Sequence, residues 1–217
     1  MTAVPRPRIG IRPALGGAAA AAAVALGGAT QTRKTKGMDR AVRRLIKPKR
    51  SPRVVKVAKG ISYLASPHTH PWVALASSVA ITVAKRRLCL SPLVASTSAT
   101  LVDKAARLLV DQHRPPKATR HKGRDRFAFP SGHTCAATAI AVSVALEVGE
   151  DRPAAERALA LALVGIASAA VGWSRLQLDE HWFDDVAGGW AAGIAIAIGA
   201  TAMTSVRSNA LRPEVDR

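Results

Sequence analysis

The chain has little of several things that soluble domains use freely. Its 217 residues carry two cysteines, one tyrosine, three phenylalanines, and only 14 acidic residues against 32 lysines and arginines. Cys89 and Cys135 both lie in apolar runs, which excludes a disulfide framework and makes them small buried hydrophobes. The excess of cations invites a nucleic-acid partner, but scarce aromatics and the lack of a Cys/His finger leave nothing to read bases with. Anionic lipid headgroups attract the same cations, so anionic membrane lipids are the expected partners and no nucleic acid is assigned. His68 and His70, in "SPHTHPW", have no Cys, His or carboxylate nearby at ligand spacing, and read as loop histidines. No metal site and no cofactor are assigned.

What the chain does have is apolar residues, 48% of the total, alongside a formal charge of +18. The mean hydropathy of +0.11 hides how far the two are segregated. Apolar runs cover 14–30, 70–84, 88–106, 134–149, 158–173 and 186–206, with Lys and Arg gathered between them. Runs of this kind bounded by cations read as membrane spans. The runs at 70–84 and 134–149 are short beside the ~20 residues that a full span needs. The expected fold is therefore all-α, an integral membrane helical bundle of about six spans, with short amphipathic interfacial helices.

Its organisation is read as 1–31, a span or signal peptide; 32–69, a basic amphipathic segment; 70–206, the helical core; and 207–217, a polar tail. The first run follows Arg6, Arg8 and Arg12, and fits either a weak alanine-rich span or a signal peptide cleaved after Ala29. In 32–69, "MDRAVRRLI" and "VVKVAKGISYLA" each place apolar residues on one helical face and cations on the other, the form of interfacial helices. "GGWAAG", with Gly189 and Gly193 four apart, reads as a close helix-packing face.

Polar residues gather at the ends of the apolar runs. Arg107 and Arg114 follow the third, Ser131 and His133 precede the fourth, and Ser174, Arg175, His181 and Asp185 lie between the fifth and sixth. If runs three to six are successive spans, all three clusters must share one membrane face. Each residue type then has a task in phosphoryl transfer. Guanidinium forks match phosphate oxygens and stay charged. Pro130 suits a first helical turn, and small Ser131 and Gly132 leave the N–H groups of a helix start open to an anion. His181 and Asp185, four apart, would share a helical face, so the carboxylate can orient a nucleophilic imidazole. His133, one turn from this cradle, would be the general acid. Asp184, Asp179, Glu180 and His113 read as supporting or solvated residues.

Arg114–Pro115, then Pro130–Ser131–Gly132–His133, then Ser174–Arg175 followed by His181 and Asp185, closely resemble the tripartite motif of the type 2 phosphatidic acid phosphatase superfamily. The resemblance runs from about residue 60 to 206. It implies a helical bundle, usually of six spans, and a metal-independent phosphohistidine mechanism with His181 as nucleophile and His133 as acid. One position departs: Arg107 stands where the family usually has lysine, replacing a compact ammonium with a planar fork. Lys104 lies one turn earlier.

Three functions compete on the sequence. The first is a membrane lipid phosphatase acting on a lipid phosphomonoester or pyrophosphate of polyprenyl phosphate, phosphatidic acid or phosphatidylglycerol phosphate type. The second is a vanadate-dependent haloperoxidase-like enzyme, against which the apolar runs argue. The third is a catalytically inactive membrane protein that gathers anionic lipids, against which the intact histidine pair argues. Counting cations puts the basic 31–60 segment in the cytoplasm, whereas the resemblance and an N-terminal span put it, with the site, outside. The latter is the expectation, in a multi-pass protein of a bacterial inner membrane.

Overall fold

The computed structural model describes residues 11–32, 34–46, 51–116 and 127–210, so Arg6, Arg8, the basic stretch 117–126 and tail residues 211–217 lie outside the described residues. The helices are α1 (Ile11–Gln31), α2 (Lys36–Ile46), α3 (Pro52–Leu64), α4 (His70–Lys85), α5 (Ser91–Leu109), α6 (Gly132–Val148), α7 (Ala154–Gln177) and α8 (Phe183–Ala210). Among the described residues the one extended pairing is an isolated bridge between His113 and Phe127. The expected all-α fold is the observed one.

Helix α8 is central and touches α1, α5, α6 and α7, while α4 packs on α5 and α6. Among the described residues, three segments are long and apolar enough to cross a membrane, Ala14–Gln31, Ala154–Gln177 and Phe183–Thr204, and Gly132–Val148 is apolar but shorter. Helix α5 has 19 residues, but Asp103, Lys104 and Arg107 polarise its last turns, which border the cavity described below.

The interior is built from small residues, including Ala95, Ala99, Cys135, Ala139, Ala192 and Ala200. Large apolar side chains face outward, as Leu159, Leu161, Leu163 and Ile166 do on α7. In lipid, burying leucine against another helix gains nothing over leaving it in hydrocarbon, so helices associate through close approach of small residues. Gly189 and Gly193 do this as expected. A Cβ at Gly189 would lie 2.9 Å from the Ser131 carbonyl oxygen, and one at Gly193 would lie 2.7 Å from that of Cys135. Both contacts seat α8 on α6, and both free cysteines are buried.

The turns α4–α5 and α6–α7 meet at one end. There Glu147 Oε1 accepts from Ser91 Oγ at 2.8 Å and Oε2 from Arg87 Nη2 at 2.9 Å. Lys85 Nζ donates to Glu150 at 3.3 Å and to Asp151 at 2.9 Å, and Arg87 also bonds Glu150. At the other end, α2 and α3 form as the basic amphipathic pattern predicts, with α3 packed on α7 and α2 on α7 and α8. They join the end of α1 to the start of α4, beside the end of α5, the start of α6 and the α7–α8 turn.

Candidate active site

Helix α7 ends just after Arg175. Backbone bonds from Asp179 N–H to Leu176 O and from Glu180 N–H to Arg175 O, both 3.0 Å, fold the chain back on itself. Asp179 takes a left-handed φ of 60°, which aspartate tolerates better than most residues. His181 stands on this turn, two residues before α8, rather than on a helical face as its spacing suggests. Its pairing with Asp185 comes from a helix cap instead. In the first turn of α8, Asp185 Oδ2 reaches back to accept the Trp182 N–H at 2.8 Å and lies 3.3 Å from His181 Nδ1. A side chain reaching back from the third helical position is a capping-box contact.

The partners of His181 fix its tautomer. A guanidinium only donates, so Nε2, beside Arg114, holds the lone pair, and Nδ1 carries the proton and donates to Asp185. Arg114 Nη1 lies 3.1 Å from Nε2 and donates to the Glu180 carbonyl at 2.8 Å. Burial first, and then the guanidinium groups of Arg114 and Arg175, hold the His181 pKa well below its ordinary 6.5. The imidazole is neutral at neutral pH.

Pro130 precedes the N-cap Ser131 and stands outside the first turn of α6, which starts at Gly132; here the structure departs from the first-turn expectation. The Ser131 N–H donates to the Asp185 carbonyl at 2.9 Å and its hydroxyl accepts from Thr134 Oγ1 at 3.0 Å. Ser131 is therefore engaged in joining α6 to α8. Gly132 allows a close approach, since a Cβ there would lie 2.9 Å from the Asp103 carboxyl group and would displace it.

Arg107 Nε lies 3.1 Å from both Asp103 oxygens, its Nη2 donates to Oδ1 at 2.9 Å, and its Nη1 donates to the Phe127 carbonyl at 2.8 Å. Arg175 differs. Its Nη1 donates to Ser62 Oγ at 2.5 Å, and its buried Nε has no hydrogen-bond partner.

These groups converge on a cavity of about 330 Å³ whose wall includes Arg107, Arg114, Gly132, His133, Arg175 and His181. The three sequence clusters thus meet at one end of the bundle, as the alternation of spans requires. Ser131 and Asp185 are fully buried behind the wall. The cavity can receive an anion of phosphate size against three guanidinium groups, a helix N-terminus and three imidazoles.

The sequence hid two contributors, His70 and Asp103, and left the role of a third, Asp184, open between supporting and solvated. His70 is no loop residue: it opens α4, is buried on the cavity wall, and has Nδ1 2.9 Å from Ser96 Oγ. Pro71, suited to a first helical turn, was the available signal. Asp103 lies on the wall four residues before Arg107, a spacing that signals a helical ion pair. Asp184 is fully buried, accepts from Thr35 Oγ1 at 2.6 Å and from Gln112 Nε2 at 2.9 Å, and ties α8 to α2 and to the loop after α5. No periodicity marks it.

Residues 87–208 match the family profile described as PAP2 superfamily. The fold matches the crystal structure of the first transmembrane PAP2-type phosphatidylglycerolphosphate phosphatase from Bacillus subtilis, with a TM-score of 0.75 and 20% identity over 92% of this chain and 98% of that one. No curated protein matches the chain in sequence. With the matched region spanning more than half of its length and carrying all three motif clusters, the chain belongs to the PAP2 superfamily.

Proposed function

We propose that the protein is a metal-independent lipid phosphatase of the membrane, releasing phosphate from a lipid phosphomonoester or pyrophosphate through a phosphohistidine intermediate. The observation that carries this reading is the neutral His181, oriented by Asp185 at 3.3 Å and opening on a cavity with Arg107, Arg114 and Arg175. The arginines hold the phosphate. The Nε2 lone pair of His181 leaves Arg114 and attacks phosphorus, forming the N–P bond as the bond to the lipid oxygen breaks, and Asp185 offsets the positive charge that develops on the ring. The negative charge of the bound phosphate favours the protonated form of His133, on the cavity wall, which donates that proton to the departing oxygen. His133 then takes one from the water that attacks the phosphohistidine, which releases inorganic phosphate and restores both histidines.

The lipid chain would lie among the helices, as the outward-facing apolar side chains favour. Polyprenyl phosphates, phosphatidic acid and phosphatidylglycerol phosphate are the substrate types that fit, the last being the one acted on by the structurally similar Bacillus enzyme. Helix α1 acts as a retained span in this reading. That is supported by its packing along α8, where a Cβ on Gly16 would lie 3.0 Å from Ile198. With the start of α1 on the cytoplasmic side, such a span would put α2, α3 and the site on the extracytoplasmic face of a bacterial inner membrane. Anionic headgroups then meet the exposed cations of α2 and α3.

The test is release of inorganic phosphate from these lipids by purified protein in excess EDTA, beside His181→Ala. The wild type should turn over, and the variant should lose roughly 10⁴-fold or more while remaining monodisperse, as for deletion of a nucleophile. Activity retained by the variant would remove the mechanism.

A further inference from the structure

We infer that α2 is a clamp on the turn that carries the nucleophile, with Arg43 as a positioning residue for His181. Arg43 Nε and Nη2 donate to the two carboxylate oxygens of Asp179, each at 2.8 Å. The same guanidinium lies over the Trp182 ring, 5.7 Å from its centroid. One helical turn earlier, Asp39 Oδ1 accepts the N–H of Asp184 at 3.1 Å. Helix α2 therefore grips residues 179, 182 and 184, which bracket His181 on both sides. Neither Arg43 nor Asp39 borders the phosphate cavity, so the clamp acts through the turn and not on the substrate.

The other arginines of α2 do not share this role. Arg40 Nε and Arg44 Nε bond back to carbonyls of their own helix, those of Lys36 and Arg40, at 3.1 and 3.2 Å. Arg43 is set apart by a bidentate, aromatic-stacked contact of the kind that only a planar fork makes. Its partner Asp179 has a side chain only 7% exposed, and it is itself the left-handed residue of the turn. Without Arg43 that carboxylate would be buried beside no fork, and water or rearrangement would reach the turn. The direction of His181 Nε2 depends on the backbone there as well as on Asp185, whose contact of 3.3 Å is long for a charge-assisted bond. A misplacement of ~1 Å at a reacting atom is enough for a rate loss of about 10²-fold.

The kinetic arm of the test rests on the phosphohistidine reading, and the exchange arm does not. Arg43→Ala and Asp179→Asn should each lower kcat by roughly 10- to 100-fold with KM within about threefold. Arg43→Ala/Asp179→Asn should be no worse than the poorer single change, because both break one contact. Arg43→Lys should be intermediate, and Arg152→Ala, at the far end of the bundle, should match wild type. By hydrogen exchange, peptides covering 178–186 should exchange faster in Arg43→Ala and Asp179→Asn, with peptides covering 190–200 unchanged. Additive kcat losses, a change confined to KM, or unchanged exchange over 178–186 would overturn the clamp. A wild type that hydrolyses no lipid phosphate would remove the proposed function, and the exchange comparison would still decide for or against the clamp.

Discussion

Glu147 and Arg175 are buried to nearly the same degree, 4% and 7% exposed, at opposite ends of the bundle, and their surroundings differ in kind. Glu147 is met by Arg87 and the Ser91 hydroxyl, and Arg87 continues to Glu150, which Lys85 also reaches. Charges of opposite sign alternate there. At the site end they are sorted instead, apart from Asp103, which stands on the cavity wall paired with Arg107. Arg107, Arg114 and Arg175 border the cavity, while the carboxyl groups of Asp39, Asp184 and Asp185 are buried behind it. An alternating cluster satisfies itself and holds two turns together. A sorted one leaves a field that an arriving anion completes, and it costs folding stability until then.

Removing one cation at each end tests this difference most directly. Arg175→Ala should lower kcat/KM for a lipid phosphate by about 10²–10³-fold, as for loss of a preorganised oxyanion donor, with Tm unchanged or raised. Arg87→Ala should do the reverse. It leaves Glu147 buried without its cation, a loss of about 3–5 kcal/mol, while the protein that remains folded keeps kcat/KM within about twofold. A rate loss in Arg87→Ala as large as that in Arg175→Ala would collapse the distinction between the two ends.

Arg107 sharpens the comparison because it belongs partly to both arrangements. It borders the cavity, yet three of its contacts go to Asp103, so much of its charge is already balanced. Arg107→Ala is therefore expected to cost about tenfold in kcat/KM, less than Arg175→Ala. Arg107→Lys should stay within about threefold of wild type, since an ammonium keeps the ion pair and loses mainly the Phe127 carbonyl. Parallel assays of the four variants rank the cations, and an Arg107→Ala loss equal to that of Arg175→Ala would show that Asp103 does not offset the charge.

The sorting was half legible in the sequence. Cations and histidines at the ends of apolar runs had to share a face once alternate spans reversed direction, and Arg107, Arg114, His133, Arg175 and His181 do. The helices themselves followed from long apolar runs and from the cation pattern of α2 and α3. What escaped was whatever depends on backbone detail. Whether His181 sits in a helix or on a turn hangs on Asp179 adopting φ of 60°, and whether Ser131 faces the cavity hangs on its N–H going to the Asp185 carbonyl. The carboxylates behind the wall were also hidden, because Asp39 lies in a basic amphipathic stretch and Asp184 beside a better motif residue. Their partners are 145 residues apart in the chain, a distance that no local pattern reports.

The sorted field also predicts a histidine that resists protonation. Burial and the guanidinium groups of Arg114 and Arg175 lower the His181 pKa, so acid should protonate it only well below pH 6.5 and the neutral imidazole should persist into mildly acid solution. In protein labelled with ¹⁵N-histidine, the His181 signals, assigned by their loss in His181→Ala, should not shift between pH 7 and 5.5. Titration centred at pH 6 or above would mean that the cations do not act on the ring as a group.

The smallest effect is expected on the carboxylate side. Burial, followed by repulsion from Asp184, raises the Asp39 pKa from 3.8 to about 6. The folded protein therefore holds a proton on Asp39 to higher pH than the unfolded chain does, and stability falls as pH rises through that window. Above it, a charged Asp39 faces Asp184 at the site end, where no equivalent repulsion loads the far end of the bundle. Asp39→Asn removes the charge and keeps the Oδ1 that accepts the Asp184 N–H, so the clamp geometry and kcat should survive. Its Tm in detergent should exceed that of wild type by about 2–4 °C at pH 8, an increment on the order of 1 kcal/mol. At pH 4.5, where Asp39 is protonated in the folded wild type, the gap should narrow. A Tm difference that is the same at the two pH values would mean that the substitution acts through packing, and that like charges are not what the site end carries at a cost to stability.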